Sequence, residues 1–216
     1  MLGERIMYVK NEMFYHFHKF LENDEISALW QAGRDINLTK KQTNRFNSYY
    51  DSYFPQVRIS NRLYPIREAA KIIEDNKLYS TTEIAENIFK QYTKVIREMA
   101  IYMRETIFEE IRQMYFANLP SRKCCIWVLN EPSIRYWYNT LGPTRKLFRI
   151  KLTGVIHKAD QRHLAAEILP SELIRRNAFE YWTGSDGTNT IEEELLFEGL
   201  INIVDEIDIL EWLENK

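Results

Sequence analysis

The stretch EEELLFEG, residues 192–199, joins three carboxylates directly to an apolar run that ends next to a glycine. The apolar residues 195–197 favour the interior of a strand, where side chains alternate between two faces. Glu192 and Glu194 then share one face and Glu193 takes the other. Either the carboxylates keep a surface soluble, or one of them points into a cleft. We expect Glu192 and Glu193 to be solvated, and if the face of Glu194 lines a cleft, Glu194 is an acceptor held at its edge.

The segments around this stretch predict further strands. Residues 146–154, KLFRIKLTG, alternate apolar and basic side chains, and residues 155–160 can continue that strand past a bend. Residues 200–207 form either a second strand after 192–199 or the continuation of one strand that bends at the glycine. The aromatic stretch EMFYHFHKF at residues 12–20 indicates an early strand, and KCCIWVL at residues 123–129 a short buried one.

Helical patterns lie mainly between these strands. Apolar residues recur at helical spacing over residues 84–114, which favours a long core helix over a coiled-coil arm because the heptads are irregular. Shorter helices are predicted at residues 132–142 and in the tail, and residues 170–184 form either a short helix or a turn. We therefore predict a single α+β domain over residues 1–216, with a mostly antiparallel sheet and a helical insertion at about residues 64–117.

Composition excludes several classes of protein. The chain is 45% hydrophobic and 13% aromatic, which is enough for a full core. It has neither a run of about 18 apolar residues nor a glycine-rich phosphate loop, so we expect no membrane span and no Rossmann-type site. The N-terminus lacks the apolar core of a signal peptide. The adjacent residues Cys124 and Cys125 are unsuited to a mutual disulfide, so a reducing, cytoplasmic location is expected.

The charges are segregated along the chain. Basic residues dominate residues 34–71, residues 132–159 contain basic residues and no acid, and acids dominate residues 185–216. A basic face suits the phosphates of a nucleotide or a nucleic acid. The tyrosine-rich stretch 40–62 could stack on unpaired bases. The acidic end, residues 205–216, is expected to dock on a basic segment of its own chain or of a second copy.

Several side chains are candidates for a site. His16 and His18 lie two apart on the predicted early strand and so share a face, but no third ligand accompanies them and we predict no metal site. His16 lines a cleft or is a structural histidine. Ser121 and Arg122 stand at the entrance to a buried strand, where the arginine could bind a phosphate or a carboxylate.

These features together resemble a known fold. A YH strand near the N-terminus, an SR…CIWV strand followed by a YW helix, and a late E-L-L-x-x-G strand are similar to the ADP-ribosyltransferase-like fold with its split sheet. Within it, the chain is closest to an uncharacterised family of small bacterial proteins, described only as a domain of unknown function. The resemblance covers residues 12–35 and 118–204.

The resemblance implies roles for individual residues. His16 would hydrogen-bond the adenosine ribose of NAD, which is a substrate in this superfamily. Trp127 would pack on the nicotinamide, at a position where many members carry tyrosine. Glu194 would bind the nicotinamide-ribose hydroxyl. Arg34 or Arg122 would hold the pyrophosphate, with Ser121 beside the latter.

The resemblance also implies a function. We expect an NAD-dependent ADP-ribosyltransferase or NAD glycohydrolase that acts as a bacterial toxin or defence effector, with a protein or nucleic acid as the acceptor. An antitoxin partner or a homodimer would fit such a role. The alternative is a catalytically silent module of the same fold that binds nucleic acid or protein.

Overall fold

A computed structural model describes residues 6–20, 25–38, 44–78, 82–164, 167–185, 187 and 191–215, and the statements below concern these residues. The helices are α1 (Glu25–Leu29), α2 (Arg45–Asp51), α3 (Ile66–Asp75), α4 (Thr82–Tyr115), α5 (Ile134–Leu141), α6 (Ser171–Thr183) and α7 (Ile209–Glu214). The strands are β1 (Ile6–His18), β2 (Asp35–Asn37), β3 (Gln56–Ile59), β4 (Arg62–Pro65), β5 (Ile126–Val128), β6 (Lys146–Asp160) and β7 (Glu193–Ile207).

The main sheet is antiparallel and has β6 and β7 at its centre. Its strand order is β1-β6-β7-β2, and β5 also pairs with β7, while β3 and β4 form a separate hairpin. An isolated bridge joins Leu129, just after β5, to Tyr15 of β1, so this short strand links β1 to β7. The predicted α+β class with a mostly antiparallel sheet is confirmed.

A pair of glycines explains why β7 is one strand instead of two. Gly199 of β7 lies opposite Gly154 of β6, and the backbones approach closely there. A Cβ added to Gly199 would meet the carbonyl oxygen of Thr153 at 2.5 Å, which no other residue could tolerate without a shift. The ring of Phe197 covers the glycine pair. Both long strands therefore run past the glycines, and the two-strand alternative is excluded.

The segment predicted as a strand at residues 123–129 begins later than expected. The carbonyl oxygen of Ser121 accepts hydrogen bonds from the backbone N–H groups of Cys124 and Cys125, so residues 121–124 form a turn. The side chain of Asn44 donates to the carbonyl oxygens of Arg122 and Cys125, at 2.5 and 3.1 Å, and fixes the turn. Only Ile126–Val128 remain as β5.

The long helix α4 is continuous, and its C-terminal half belongs to the core. Phe108 packs with Tyr181 and Trp182 of α6 and with Leu196 of β7. The indole N–H of Trp182 donates to the Phe108 carbonyl at 2.8 Å. Most of residues 64–117 are helical, as predicted, but this end of the segment covers one face of the sheet and cannot be peripheral.

The acidic end of the chain docks on a basic segment of the same chain. Arg149 of β6 pairs with Asp205 of β7, and Lys146 pairs with Glu206 at 2.8 Å. Helix α7 follows, and Trp212 packs on a small apolar cluster around Leu147. Of the two docking alternatives, the structure contains the one within the chain. No helix in the described ranges combines the length and the apolar character needed to cross a membrane.

Candidate functional site

A cleft opens beside β5, between the ends of β1 and β7. It has two adjoining parts, with volumes of about 370 and 290 Å³. Both parts are lined by His16, Phe17, Phe46, Trp127 and Arg145. A larger depression of about 510 Å³ lies near α7, but none of the predicted site residues lines it. The cleft is therefore the candidate site.

His16 is held against β5 by its ring. Its Nδ1 lies 2.8 Å from the carbonyl oxygen of Trp127. A carbonyl oxygen only accepts hydrogen bonds, so Nδ1 carries the proton and Nε2 is left as an acceptor. The ring also stacks on Trp30, with centroids 4.4 Å apart. Burial lowers the pKa of His16 to about 4, so the imidazole is neutral at pH 7.

Trp30 forms an aromatic floor under both histidines of β1. It stacks on His18 as well, with centroids 4.7 Å apart, so His16 and His18 share a face as predicted. Within the part of the chain that the structure describes, no group of three or more His, Cys, Asp or Glu side chains comes together in a way that could hold a metal ion. The two histidines are parts of an aromatic stack.

Glu194 reaches the cleft at the start of β7. Its Oε2 accepts hydrogen bonds from Arg122 Nη1 at 2.5 Å and from the Tyr181 hydroxyl at 2.7 Å. Burial raises the pKa of Tyr181 well above its usual value, so the phenol stays protonated and can donate. Among the described residues, Oε1 of Glu194 makes no hydrogen bond. The carboxylate is thus oriented through one oxygen, while the other remains open.

Behind Glu194 lies an ionic cluster, defined here as Arg104, Glu105, Arg122 and Glu194. Glu105 of α4 accepts from Arg104 Nη2 at 2.7 Å and from Arg122 Nε at 2.8 Å. Burial alone would raise the pKa of the Glu105 carboxyl, but Arg122 and Arg104 outweigh it and hold the pKa below its usual range. The cluster contains two cations and two anions, so Glu194 faces a compensated environment.

Ser121 belongs to a neighbouring pair of charges on α4. Its hydroxyl donates to Glu109 Oε2 at 2.9 Å, and Arg112 pairs with the same carboxylate at 2.8 Å. Ser121 is buried and does not line the cleft. The structure therefore places it in a structural network, away from any ligand that the cleft could hold.

The other predicted residues divide into two groups. His16, Arg122, Trp127 and Glu194 all line the larger part of the cleft. Arg34 does not line either part: its side chain is exposed, and its backbone carbonyl accepts from Ile203 N at 2.9 Å. Arg122 reaches the cleft, but its guanidinium is already engaged by carboxylates.

The expectation for Glu193 was wrong. Its side chain is buried, with 5% of its surface exposed, and Glu193 Oε1 accepts from the Ser185 hydroxyl at 2.6 Å. Helix α6 ends at Thr183, and the chain returns to β6 at this point through a bond from Ser185 N to the Lys158 carbonyl. Ser185 therefore covers the Glu193 side chain, which is buried although the residue lines the larger part of the cleft.

Three residues of the site were missed in the sequence. Glu105 is one of several charges on the predicted long core helix and was not singled out, and its partner Arg122 lies 17 residues away. Trp30 follows a helix of only five residues. Arg145 lies in the acid-free segment 132–159, and that absence of acids was a signal that this cation has no nearby partner in sequence.

The comparisons with known proteins agree with the sequence prediction at the level of the family. Residues 14–209 match the model of a family described as "Protein of unknown function (DUF2441)". The chain belongs to this family. The predicted membership in a family of unknown function is therefore confirmed. No curated protein matches the chain significantly.

Proposed function

We propose that this DUF2441 protein is an NAD-dependent ADP-ribosyltransferase or NAD glycohydrolase with an ADP-ribosyltransferase-like fold. One observation carries the proposal: His16, Trp127 and Glu194 line the same cleft, and neither His16 Nε2 nor Glu194 Oε1 is bonded to another described residue, so both can accept from a ligand. The three residues come from β1, β5 and β7, so the convergence is a property of the fold and could not follow from local sequence.

Glu194 is suited to the bond that NAD cleavage breaks. When the bond between ribose C1′ and the nicotinamide nitrogen breaks, its electron pair leaves with nicotinamide and positive charge develops on the sugar. Glu194 Oε1 would accept a hydrogen bond from the adjacent ribose hydroxyl and stabilise that charge. Water or an acceptor nucleophile then bonds to C1′ and loses its proton. Arg122 and Tyr181 act as positioning residues, because they hold Oε2.

His16 is suited to a ribose of the same ligand. A neutral imidazole with Nε2 unprotonated accepts a hydrogen bond from a hydroxyl without adding charge. Trp127 offers an aromatic surface next to it, although Arg122 and Phe46 already lie 5.5 and 6.0 Å from the Trp127 ring centre. A flat base can pack on such a surface. The cleft would thereby hold a sugar and a ring while Glu194 acts on the second sugar.

The experiment is incubation of the full chain with NAD and quantification of free nicotinamide by chromatography. Glu194→Gln keeps the shape and removes the charge, so nicotinamide release should fall about 10²- to 10³-fold. Because Glu194 also belongs to the buried ionic cluster, the variant should melt earlier, and its rate is measured at a temperature where circular dichroism shows it folded. Glu180→Gln is the matched control, because Glu180 is exposed on α6. The same rate in Glu194→Gln as in the parent, or no release by the parent, contradicts the proposal.

We favour this function over a silent nucleic-acid-binding module because of the tyrosine-rich surface. The Tyr49 hydroxyl on α2 donates to Glu98 of α4 at 2.9 Å, so a carboxylate lies within the ring cluster. A negative charge there opposes a phosphate backbone. Salt-sensitive binding of single-stranded nucleic acid, without turnover of NAD, would support the silent module instead. A toxin or defence role, with an antitoxin or a second copy as partner, remains part of the proposal through family resemblance alone.

A further inference from the structure

We propose that Arg145, together with the indole N–H groups of Trp127 and Trp137, forms an anion subsite that binds a phosphoryl group of the ligand in the cleft. Its assignment to the pyrophosphate of NAD rests on the proposed function. The subsite itself rests on the cleft geometry.

Arg145 has no counterion in the part of the chain that the structure describes. It lies in the turn after α5, where Gly142 adopts a φ of 79° and ends the helix. Its Nη1 donates to the Leu141 carbonyl, which fixes the guanidinium at the end of α5. Among the described residues, Arg145 makes no ion pair. Partial burial lowers the pKa of Arg145, and no neighbouring carboxylate offsets that effect.

The other arginines of the cleft differ in this respect. Arg104 and Arg122 also line it, but both bind Glu105, and Arg122 binds Glu194 as well. Their charges are already used inside the protein. Arg145 is therefore the cleft arginine whose charge is available to a ligand. A guanidinium can bind two oxygens of a phosphate through parallel N–H groups.

Two further donors belong to residues that line the same space. The Nε1 atoms of Trp127 and Trp137 are buried and find no hydrogen-bond partner in the described part of the chain. Both residues line the larger part of the cleft with Arg145. An indole N–H can only donate, so a ligand that satisfies these groups must present acceptors there. A cation and two unsatisfied donors on residues of one cavity favour an anion with several oxygens.

The position of Arg145 favours phosphate over a terminal carboxylate. Arg145 also lines the depression near α7, and in the cleft it lines both parts, of about 370 and 290 Å³. An anion bound there would have a ligand group on either side. Phosphates link two sugar–base halves in a dinucleotide, whereas a carboxylate is usually at the end of a molecule. His16 lines the same space and is neutral, so it adds no positive charge there. The guanidinium of Arg145 then provides the charge that selects the anion.

Isothermal titration calorimetry of the full chain at pH 7 tests the subsite with three probes: inorganic pyrophosphate, ADP and adenosine. We expect the parent to bind pyrophosphate and ADP, with ADP tighter than adenosine. Arg145→Gln keeps a donor for the Leu141 carbonyl and should weaken both phosphorylated probes at least about tenfold, because a hydrogen bond to a charged group is worth that much. Adenosine binding should not change. Arg176→Gln, at an exposed position on α6, is the control for charge.

The outcomes separate the subsite from the enzyme. Equal affinity of the parent and Arg145→Gln for pyrophosphate and ADP overturns the subsite, as does a parent that binds neither. A loss caused by Arg34→Gln in place of Arg145→Gln would also overturn it. If Arg145→Gln does not fold, Trp137→Phe removes one N–H while keeping a ring, and unchanged ADP affinity in that variant overturns the subsite. Phosphate binding without nicotinamide release refutes the enzyme and leaves the subsite intact.

Discussion

The ionic cluster and the wall of the cleft next to it use the same residue types in opposite ways. In the cluster, Glu105 binds Arg104 and Arg122, and Arg122 continues to Glu194. In the cleft wall, Arg145 makes no ion pair among the described residues, and the indole N–H of Trp127 finds no partner there. One region compensates its charges within the protein, and the other leaves a cation and a buried donor without a partner among the described residues.

This difference separates a structural role from a functional one. A polar group without a partner in a partly dry site lowers the stability of the fold. We therefore expect such groups mainly where they bind a ligand. A ligand that satisfies these groups recovers that cost on binding. The compensated cluster stabilises the junction of α4 with β7, whereas the open groups mark where a ligand would bind.

The largest expected effect comes from breaking the compensated side. Glu105→Gln leaves Arg104 and Arg122 buried with one anion fewer, which should lower the free energy of unfolding by about 3–5 kcal/mol. Glu110→Gln, one turn away on the same helix, removes an exposed partner of Arg175 and should cost about 0–1 kcal/mol. Urea denaturation followed by circular dichroism measures both. Equal losses would mean that burial does not distinguish the two regions.

A second effect concerns His16 in the wall of the cleft, and it depends on pH. His16 has a pKa of about 4 in the folded protein and about 6.5 when unfolded, so the unfolded state binds more protons between these values. Its contribution to stability is complete above about pH 6.5 and is lost as pH falls towards 4. The shift corresponds to about 3 kcal/mol at most.

Urea midpoints of the parent and of His16→Gln at pH 7 and pH 4.5 test this dependence. The parent should lose more stability than His16→Gln over that interval, because glutamine does not titrate. The same difference should appear at high salt, since its main cause is burial. Parallel losses in both proteins would show that water reaches the His16 ring in solution and would contradict its burial against Trp30.

The sheet and the long helix could be predicted because their patterns are local. Phe148, Ile150 and Leu152 alternate on β6 and are all buried, as the period of two requires. The union of residues 192–199 and 200–207 into β7 could not be predicted, because it depends on Gly154 of another strand lying opposite Gly199. The burial of Glu193 was missed for a similar reason: the covering residue, Ser185, follows α6.

The site divides in the same way. His16, Trp127 and Glu194 were found through short motifs, and the structure brings them to one cleft. Whether each arginine is ion-paired could not be predicted, because its partners are distant in sequence. Arg122 looked available but is engaged by Glu105 and Glu194. Arg145 was not predicted as a site residue. The sequence did hold one local sign of its unpaired charge, because no acid lies near it in the chain.

The smallest expected effect comes from an ion pair of the same chemistry on the surface. Arg149 of β6 and Asp205 of β7 are cross-strand neighbours that form two hydrogen bonds, and their side chains are 42% and 40% exposed. Water screens such a pair, so a double-mutant cycle with Arg149→Gln and Asp205→Asn should give a coupling energy of about 0.2–1 kcal/mol. One-molar NaCl should reduce it further, because the Debye length falls to about 3 Å.

The same cycle with Arg122→Gln and Glu105→Gln should give a larger coupling that salt hardly changes, since both side chains are 4% exposed. The two cycles hold the chemistry constant and vary the environment. A surface coupling as large as the buried one, and equally resistant to salt, would show that geometry alone sets the strength of these pairs. In that case, the missing counterion of Arg145 would lose its value as a mark of a binding site.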